Sequence, residues 1–398
     1  MRFSACSVAL VLLFSGSAFA QAPADAPPPG APPVIAPPPV VEAAPVAAVP
    51  AAAAPAAAPA AAWYNSVKLE ALVDSYYQYN FSGSDSTVGP AARAFDVTSN
   101  SFSLNYAKVG MQVDASPVMV RIDLGYGHTG AIINGSGLGV SGIPVTPGAP
   151  TGAALALYSN AFIVQQAFAE LSLGAFTLDA GKFVTTASAE VIESNKNWLY
   201  SRSMLFGLVP FLHTGIRAGY KVNDKVALQA SLVNGINNDP DNNSAKTGGF
   251  SATITPISST SIIATGYFGK EGPQGATGDT IITTDFVVAH TVSDKLGLNL
   301  NVDYVKAGET NAVGVSLMGR LVVNDNLFVA ARGEFLKNKN FIAALGDTSL
   351  YEGTGMVGLP FGHNMEIRAE LRLDGSADPV LNGKKNQFTG TLAFLGFL

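Results

Sequence analysis

Residues 67–81 read VKLEALVDSYYQYNF, and this stretch frames the choice between two folds. Polar side chains alternate there with apolar ones, at Lys68, Glu70, Asp74, Gln78 and Asn80. A two-residue period predicts a β-strand with one polar and one apolar face. In a soluble sandwich the polar face meets solvent, whereas in a membrane barrel the apolar face meets lipid and the polar face lines the interior. The choice between them depends on the rest of the chain.

The first twenty residues have the order of a secretory signal peptide. Arg2 precedes an apolar run from Val8 to Phe14, and Ala18-Phe19-Ala20 provides a small-x-small cleavage site. The apolar run is too short to cross a bilayer. Cys6 is the single cysteine and lies in this segment, so we expect the exported chain to contain no thiol and no disulfide.

The next segment, residues 21–62, consists almost entirely of Ala and Pro. Such a composition cannot form a packed core. We expect a disordered periplasmic linker there, and the sequence leaves open whether it contacts the cell wall or is a simple low-complexity leader. No comparable linker interrupts residues 63–398. We therefore expect that range to form one outer-membrane β-barrel.

The composition narrows the class of protein. Charged residues make up 13% of the chain, against roughly 25% in typical soluble proteins, while hydrophobic residues reach 48%. After the signal peptide, no window contains the roughly 20 consecutive apolar residues of a membrane helix. The formal net charge of −6 argues against binding to nucleic acid. An exported, apolar chain without membrane helices is typical of an outer-membrane barrel.

Short and long connections alternate along the chain. Seven tight turns are predicted around residues 115–117, 174–175, 222–225, 258–260, 292–295, 323–326 and 361–364, three of which read VNDK, VSDK and VNDN. Longer polar or glycine-rich connections are centred near residues 90, 145, 198, 241, 275, 309, 345 and 380. This pattern predicts an all-β, antiparallel up-and-down transmembrane barrel of about 16 strands, within a range of about 14 to 18, with short periplasmic turns and long outer loops.

Inward-facing charges are numerous in this interpretation. Because a dry interior would cost several kcal/mol for each unpaired ion, we expect a water-filled lumen, although neighbouring charges that pair would stiffen the wall instead. The nearly balanced signs do not indicate an ion preference. The candidate pore-lining residues on the strands are Lys68, Glu70, Asp74, Arg121, Asp123, His213, Arg217, Lys221, Glu366, Arg368, Glu370 and Arg372.

The connection at residues 186–210, TASAEVIESNKNWLYSRSMLFGLVP, is too long for a simple hairpin. Its apolar side chains, including Trp198 and Phe206, would be poorly placed in open solvent. We expect it to fold back into the lumen as a constriction loop, the alternative being a lid over the barrel mouth. The charged residues that it would present to the channel are Glu190, Glu193, Lys196 and Arg202.

A group of short motifs resembles the OmpL-like β-barrel porin family, most densely between residues 160 and 250. The motifs are GKF at 181–183, Glu190, Asn197-Trp198, SRS at 201–203, Pro210, His213, Gly215, Arg217, the NDK turn and Asn234-Gly235. The resemblance implies an outer-membrane porin of 12 or more strands. Together with the charged interior, we expect a water-filled channel for passive diffusion of small hydrophilic solutes and ions. Ala189 stands where the family tends to have Gly, and Ile236 where Trp commonly follows Asn-Gly. These two departures bear on the loop conformation and not on the fold.

An enzyme and a closed surface barrel are the two alternatives to a channel. For an enzyme, the four histidines lie in four separate segments without metal-ligand spacing, and no serine motif accompanies them, so we expect neither catalysis nor a cofactor nor a metal. A plugged or closed barrel with a structural or adhesive role remains the alternative to a channel. The expected partners are outer-membrane lipid and small hydrophilic solutes, with a homotrimer and cell-wall contact as open points.

Overall fold

The computed structural model describes residues 66–83, 93–135, 161–271 and 278–398. The signal peptide (1–20) and the linker (21–62) predicted from the sequence lie outside these residues, as do parts of the connections near 90, 145 and 275.

Sixteen antiparallel strands close into a barrel, and each strand pairs with its neighbours in the chain. The barrel closes where the first strand pairs with the last, with Asp74 opposite Leu395 and Gln78 opposite Thr391. The predicted class and strand number are thus confirmed. The strands are β1 Val67–Asn80, β2 Ser101–Ala115, β3 Val118–Tyr126, β4 Phe162–Leu173, β5 Phe176–Val184, β6 Leu212–Asn223, β7 Val226–Val233, β8 Thr247–Ile257, β9 Thr260–Glu271, β10 Asp279–Ser293, β11 Leu296–Ala307, β12 Thr310–Asn324, β13 Leu327–Lys339, β14 Asp347–Phe361, β15 Met365–Ser376 and β16 Asn386–Phe397.

Helical structure is sparse in the described part of the chain. One helix, α1 (His128–Gly135), follows β3, and 3-10 turns occur at Ser194–Lys196, Leu205–Gly207 and Ala343–Leu345. None of the helices in the described ranges is long and apolar enough to cross a bilayer.

All seven predicted tight turns join consecutive strands. In the three related turns the first polar side chain accepts a hydrogen bond from the backbone N–H two residues later. The distance is 2.8 Å at Asn223, 2.9 Å at Asn324 and 3.4 Å at Ser293. This is the local bond that makes Asn, Asp and Ser frequent in turns. The prediction of a long connection near residue 309 was wrong. Near residue 309 only two residues join β11 to β12, because Gly308, at φ +54°, permits a two-residue hairpin.

The faces of β1 agree with the membrane interpretation of its alternation. Leu69 and Val73 are 69% and 54% exposed on the outside, whereas Asp74 and Gln78 are fully buried on the inside. β15 repeats the pattern, with Leu371 and Leu373 outside. The exposed apolar side chains therefore form the surface that meets lipid, and the polar side chains point to the interior.

A charge on the outer face near mid-strand should destabilise the barrel. We expect Leu371→Arg, in the middle of β15, to lower the free energy of unfolding by about 2–4 kcal/mol, and Val292→Arg, beside a turn, by about 0–1 kcal/mol. Leu371 and Val292 are both exposed on the outer surface. The two variants therefore differ mainly in their depth in the membrane, because Leu371 lies in mid-strand and Val292 at a strand end. Urea unfolding in lipid vesicles measures both, and equal losses would contradict this assignment of membrane depth.

Candidate functional site

The connection between β5 and β6, here called the inner loop (residues 185–211), contacts inward-facing side chains around the barrel wall. The Tyr200 hydroxyl donates to Asp74 on β1 over 2.9 Å. The backbone N–H of Ser188 donates to Asp285 on β10 over 3.0 Å, and that of Met204 donates to Glu334 on β13 over 2.9 Å. Since β1, β10 and β13 are well separated around the barrel, the inner loop spans its cross-section.

Three arginines of the wall bind the main chain of the inner loop. Arg332 on β13 donates to the carbonyl of Ser201 over 2.8 Å. On β15, Arg368 donates to the carbonyls of Ser194 and Asn197 over 2.8 and 3.0 Å, and Arg372 donates to that of Arg202 over 2.6 Å. All three guanidinium groups are buried. Carbonyl groups that would otherwise lack partners inside the barrel are thereby satisfied by charged donors.

Carboxylates complete this arrangement by accepting backbone N–H groups of the same loop. Glu370 on β15 accepts from Tyr200 over 2.8 Å and from Ser201 over 3.2 Å. Glu190, itself in the loop, accepts from the N–H of Ser203 over 2.7 Å. Bonds from a carboxylate to backbone N–H groups are among the stronger hydrogen bonds in proteins. The wall therefore fixes the loop mainly through its backbone.

Apolar side chains of the inner loop form a core inside the barrel. Leu199, Leu205 and Phe206 are buried. The ring of Phe206 lies 5.1 Å from that of Phe211 and 5.8 Å from that of Phe95, measured between centroids. Burying such side chains is favourable by roughly 1.5–3 kcal/mol each. Apolar packing and charged anchors thus act on the same loop.

Phe95 belongs to a second inward segment, residues 93–99, which the sequence reasoning missed. Arg93 pairs with Asp374 on β15 over 3.0 Å and with Asp96, and its side chain is fully buried. The guanidinium of Arg202 lies 5.4 Å from the Phe95 ring centroid. The stretch RAFDV has no two-residue period, so the pattern of strands could not reveal it. The one sequence signal for an inward segment here is an isolated Arg close to a Phe within a long connection, because such an apolar ring is poorly placed in open solvent.

Three of the four loop charges that were expected to face the channel are buried in contacts within the protein. Glu190 pairs with Arg332 over 3.0 Å, and Glu193 pairs with Lys108 on β2. Arg202 donates to the carbonyls of Val191, over 3.0 Å, and Ile192. The side chain of Lys196 is 41% exposed, 3.5 Å from Glu70. Buried ions require partners, and here other loop and wall groups supply them.

The predicted strand residues fall into two sets. Asp74, Arg368, Glu370 and Arg372 contact the inner loop, as described above. The charged members of the second set form ion pairs with neighbouring wall or turn groups. These pairs are Arg121 with Glu70 and Asp123, Arg217 with Asp179, Lys221 with Asp224, Lys68 with Asp114, and Glu366 with Arg368. His213 instead lies at hydrogen-bond distance from the backbone carbonyl of Gly235.

Glu193 has a strongly shifted pKa. Burial alone would raise it, but Lys108 and then Lys196 stabilise the carboxylate and bring the pKa down from 4.5 to about 2. For Tyr200, burial and the neighbouring Asp74 raise the pKa well above its ordinary value, so its hydroxyl remains a donor. Both groups keep the protonation states that their contacts require at neutral pH.

The lowered pKa of Glu193 predicts acid sensitivity. A carboxylate with a lower pKa in the folded state stabilises the fold above its unfolded pKa of 4.5, and this stability is lost as the pH falls toward about 2. We expect the difference in unfolding free energy between wild type and Glu193→Gln to shrink by on the order of 3 kcal/mol between pH 6 and pH 2. Denaturant unfolding across this range measures it. A difference that is constant with pH would contradict the prediction.

A cavity of about 450 Å³ lies between the inner loop and one side of the wall. Its lining comes from the loop and from strands between β2 and β10. The charged residues among the lining groups are Arg121, Glu190, Glu193, Lys196 and Arg217. The volume is that of a small-molecule site or a channel segment.

Within the described ranges, no group of three or more His, Cys, Asp or Glu side chains could hold a metal ion.

Solved structures with the same fold are outer-membrane proteins. The outer membrane channel DcaP of Acinetobacter baumannii matches with a TM-score of 0.58 at 13% identity, over 83% of this chain and 97% of that one. An anion-selective porin from Comamonas acidovorans matches with a TM-score of 0.53 at 10% identity, over 84% and 99%. The trimer form of OmpT, an outer membrane protein of Vibrio cholerae, matches with 0.52 at 11% identity, over 83% and 99%. At these identities the likeness shows the fold alone.

No curated protein sequence matches this chain. A family model described as "Putative beta-barrel porin-2, OmpL-like" matches residues 66–397, which is the entire barrel. The predicted resemblance is therefore confirmed, together with the outer-membrane location that this family and fold carry. The chain belongs to the OmpL-like β-barrel porin-2 family.

Proposed function

We propose that this protein is a diffusion channel of the outer membrane, which conducts small hydrophilic solutes and ions and has a transport rather than a catalytic role. The inner loop, which includes the predicted constriction segment 186–210, narrows the channel in this proposal. The observation that carries the proposal is the anchoring of this loop's main chain inside a 16-strand barrel, with a cavity left on one side of it. Barrels of this strand number are wide enough to enclose an aqueous channel.

The proposed path runs past the cavity, along the side of the wall from β1 to β10. Lys196, Glu70, Arg121 and Arg217 would meet the solute, with Lys68 and Lys221 closer to the turns. Opposite charges that line one passage set up a field across it and favour polar solutes over apolar ones. Asp74, Arg368, Glu370 and Arg372 position the loop in this proposal rather than contact the solute.

Single-channel current tests the proposal. Residues 63–398, purified and inserted into a planar bilayer under a salt gradient, should give stable open steps, and the reversal potential should report the charge preference. The insertion of folded protein is checked separately by heat-dependent migration on gels. A folded barrel that carries no current would contradict the channel proposal.

A closed surface barrel with a structural or adhesive role is the second candidate. It is favoured by the number of wall contacts that the inner loop makes, on β1, β9, β10, β11, β13 and β15. A loop held on so many sides leaves little cross-section for solute. The same current recording separates the two candidates, because a closed barrel gives no steps.

Assembly and cell-wall contact form a further part of the proposal. We propose a homotrimer, on the likeness of the fold to porins that include a trimer form. The N-terminal linker would lie in the periplasm, since β1 begins on the barrel side where the short turns lie. Crosslinking in intact cells would report a trimer band, and binding of peptidoglycan would be lost on removal of residues 21–62.

A further inference from the structure

Two aspartates face each other on the inner wall, away from the arginine anchors of β13 and β15. Asp285 on β10 and Asp303 on β11 are direct cross-strand partners, here called the aspartate pair. Both side chains are buried, with exposures of 3% and 0%. Side chains in such positions have Cβ atoms roughly 4.5–5.5 Å apart, and like charges there repel each other.

Among the described residues, the aspartate pair has no cationic partner. In the parts of the chain that the structure describes, no Lys, Arg or His group lies within ion-pair distance of either carboxylate. The amide of Asn301 donates to both carboxylates, over 2.7 Å to Asp285 and 3.0 Å to Asp303. A neutral amide cannot balance two buried negative charges, so without a cation the two carboxyl groups share a proton, which makes a hydrogen bond between them. This contrasts with Glu352 and Asp374, each of which pairs with an arginine.

Inward-facing oxygen atoms on β11 and on the next two strands lack hydrogen-bond partners in the described structure. Oδ2 of Asp303 is buried without a partner in the described structure, and so are Oγ of Ser316 and Oε1 of Glu334 on the next two strands. Ser316 lies opposite Asn301 in the β11–β12 register and opposite Glu334 in that of β12–β13. Buried polar atoms are paired in most native proteins, so such a group of acceptors indicates a missing positive or donor species.

We propose that the aspartate pair binds a hard divalent cation of the calcium class. Carboxylate, hydroxyl and amide oxygens are the ligands that such ions take, and Ca²⁺ accepts an irregular set completed by water. A cation that displaces the shared proton leaves the pair with two charged ligands, which match the charge of the ion. The site needs fewer than three acidic side chains and so differs from the multi-carboxylate clusters that the described residues lack.

The proposed site also touches the inner loop. Oδ1 of Asp285 accepts the N–H of Ser188 over 3.0 Å, and the side-chain amide oxygen of Asn301 accepts the N–H of Ala189 over 3.3 Å. A cation bound between the carboxylates would remove their repulsion at the point where the loop begins. Binding should therefore stabilise the loop and the barrel together.

Calcium titration of the folded barrel in detergent, after EDTA treatment and without lipopolysaccharide, tests the proposal. We expect saturable binding of CaCl₂ by calorimetry, with a rise in the thermal midpoint, and affinity at least about tenfold weaker in Asp303→Asn. Asp347→Asn is the matched control, because Asp347 is an exposed carboxylate at the start of β14. It should bind as wild type does.

Several results would overturn the proposal. The wild-type protein could bind no Ca²⁺, or Asp303→Asn could bind Ca²⁺ as tightly as the wild type does. Asp347→Asn could also lose as much Ca²⁺ affinity as Asp303→Asn. If the wild-type protein binds no Ca²⁺, a proton shared by the two carboxyl groups is the explanation of how the pair is buried without a cation. If Asp303→Asn fails to fold, Asp285→Asn removes the other carboxylate and carries the same expectation. None of these readouts depends on current, so failure here is distinguishable from failure of the channel proposal.

Discussion

Removal of the central part of the inner loop should raise the single-channel conductance severalfold. We expect this of a variant in which Glu193–Ser203 is replaced by a short Gly-Ser linker. The deleted stretch contains the carbonyls that Arg368 binds and the buried side chains of Leu199 and Tyr200. Without them the 16-strand wall encloses a wider aqueous passage.

The control for this deletion shortens another connection. Residues 242–245, between β7 and β8, can be removed without touching the contacts between the inner loop and the wall, and conductance should then stay near the wild-type level. An unchanged current in the inner-loop deletion would mean that this loop does not limit the flow. Severalfold higher current in both variants would point to a general loosening of the barrel.

Substitution of Arg332 should produce the largest loss of stability. Its side chain is fully buried, 3.0 Å from Glu190, 3.1 Å from Glu352 and 3.7 Å from Glu334. Arg332→Met keeps an apolar stem of similar reach but removes the cation that Glu190 and Glu334 pair with, and leaves Glu352 only the longer contact with Arg372, at 3.8 Å. Breaking one side of a buried ion pair costs about 3–5 kcal/mol, and we expect at least this loss in the free energy of unfolding.

A second cation on the same strand provides the comparison. Lys337 pairs with Asp347 over 2.5 Å, but both side chains are about half exposed, at 45% and 52%. Exposed pairs contribute about 0–1 kcal/mol, so Lys337→Met should be nearly neutral. Denaturant unfolding of both variants in the same detergent decides the matter. Losses of equal size would show that the buried network around Arg332 has no special energetic weight.

The barrel itself could be predicted from the sequence because its determinants are local. Alternation along β1 and β15 identifies the lipid face, and Asn223, Ser293 and Asn324 end strands through bonds to their own neighbours. These signals act within a few residues of the chain. The connection at Gly308 was misjudged, because a positive φ at one glycine replaced a loop that its polar neighbours had suggested.

The partners of the inner charges could not be predicted in the same way. Arg368 lies 171 residues from Asn197, whose carbonyl it binds, and Arg93 lies 281 residues from Asp374. Alternation shows that such a side chain points inward but not what it meets there. Glu190, Glu193 and Arg202 were recognised as members of the site, while their burial depends on wall groups from distant strands.

The anchoring of the inner loop by its peptide groups has a consequence for how such channels diversify. Arg332, Arg368, Arg372 and Glu370 bind carbonyls and N–H groups that every amino acid provides. A substitution at an exposed loop position such as Lys196 leaves those bonds intact. Single substitutions of exposed loop residues can therefore change the solute preference during evolution while the barrel and the loop backbone stay the same. For the same reason, exposed loop side chains can be exchanged in protein engineering without a redesign of the barrel.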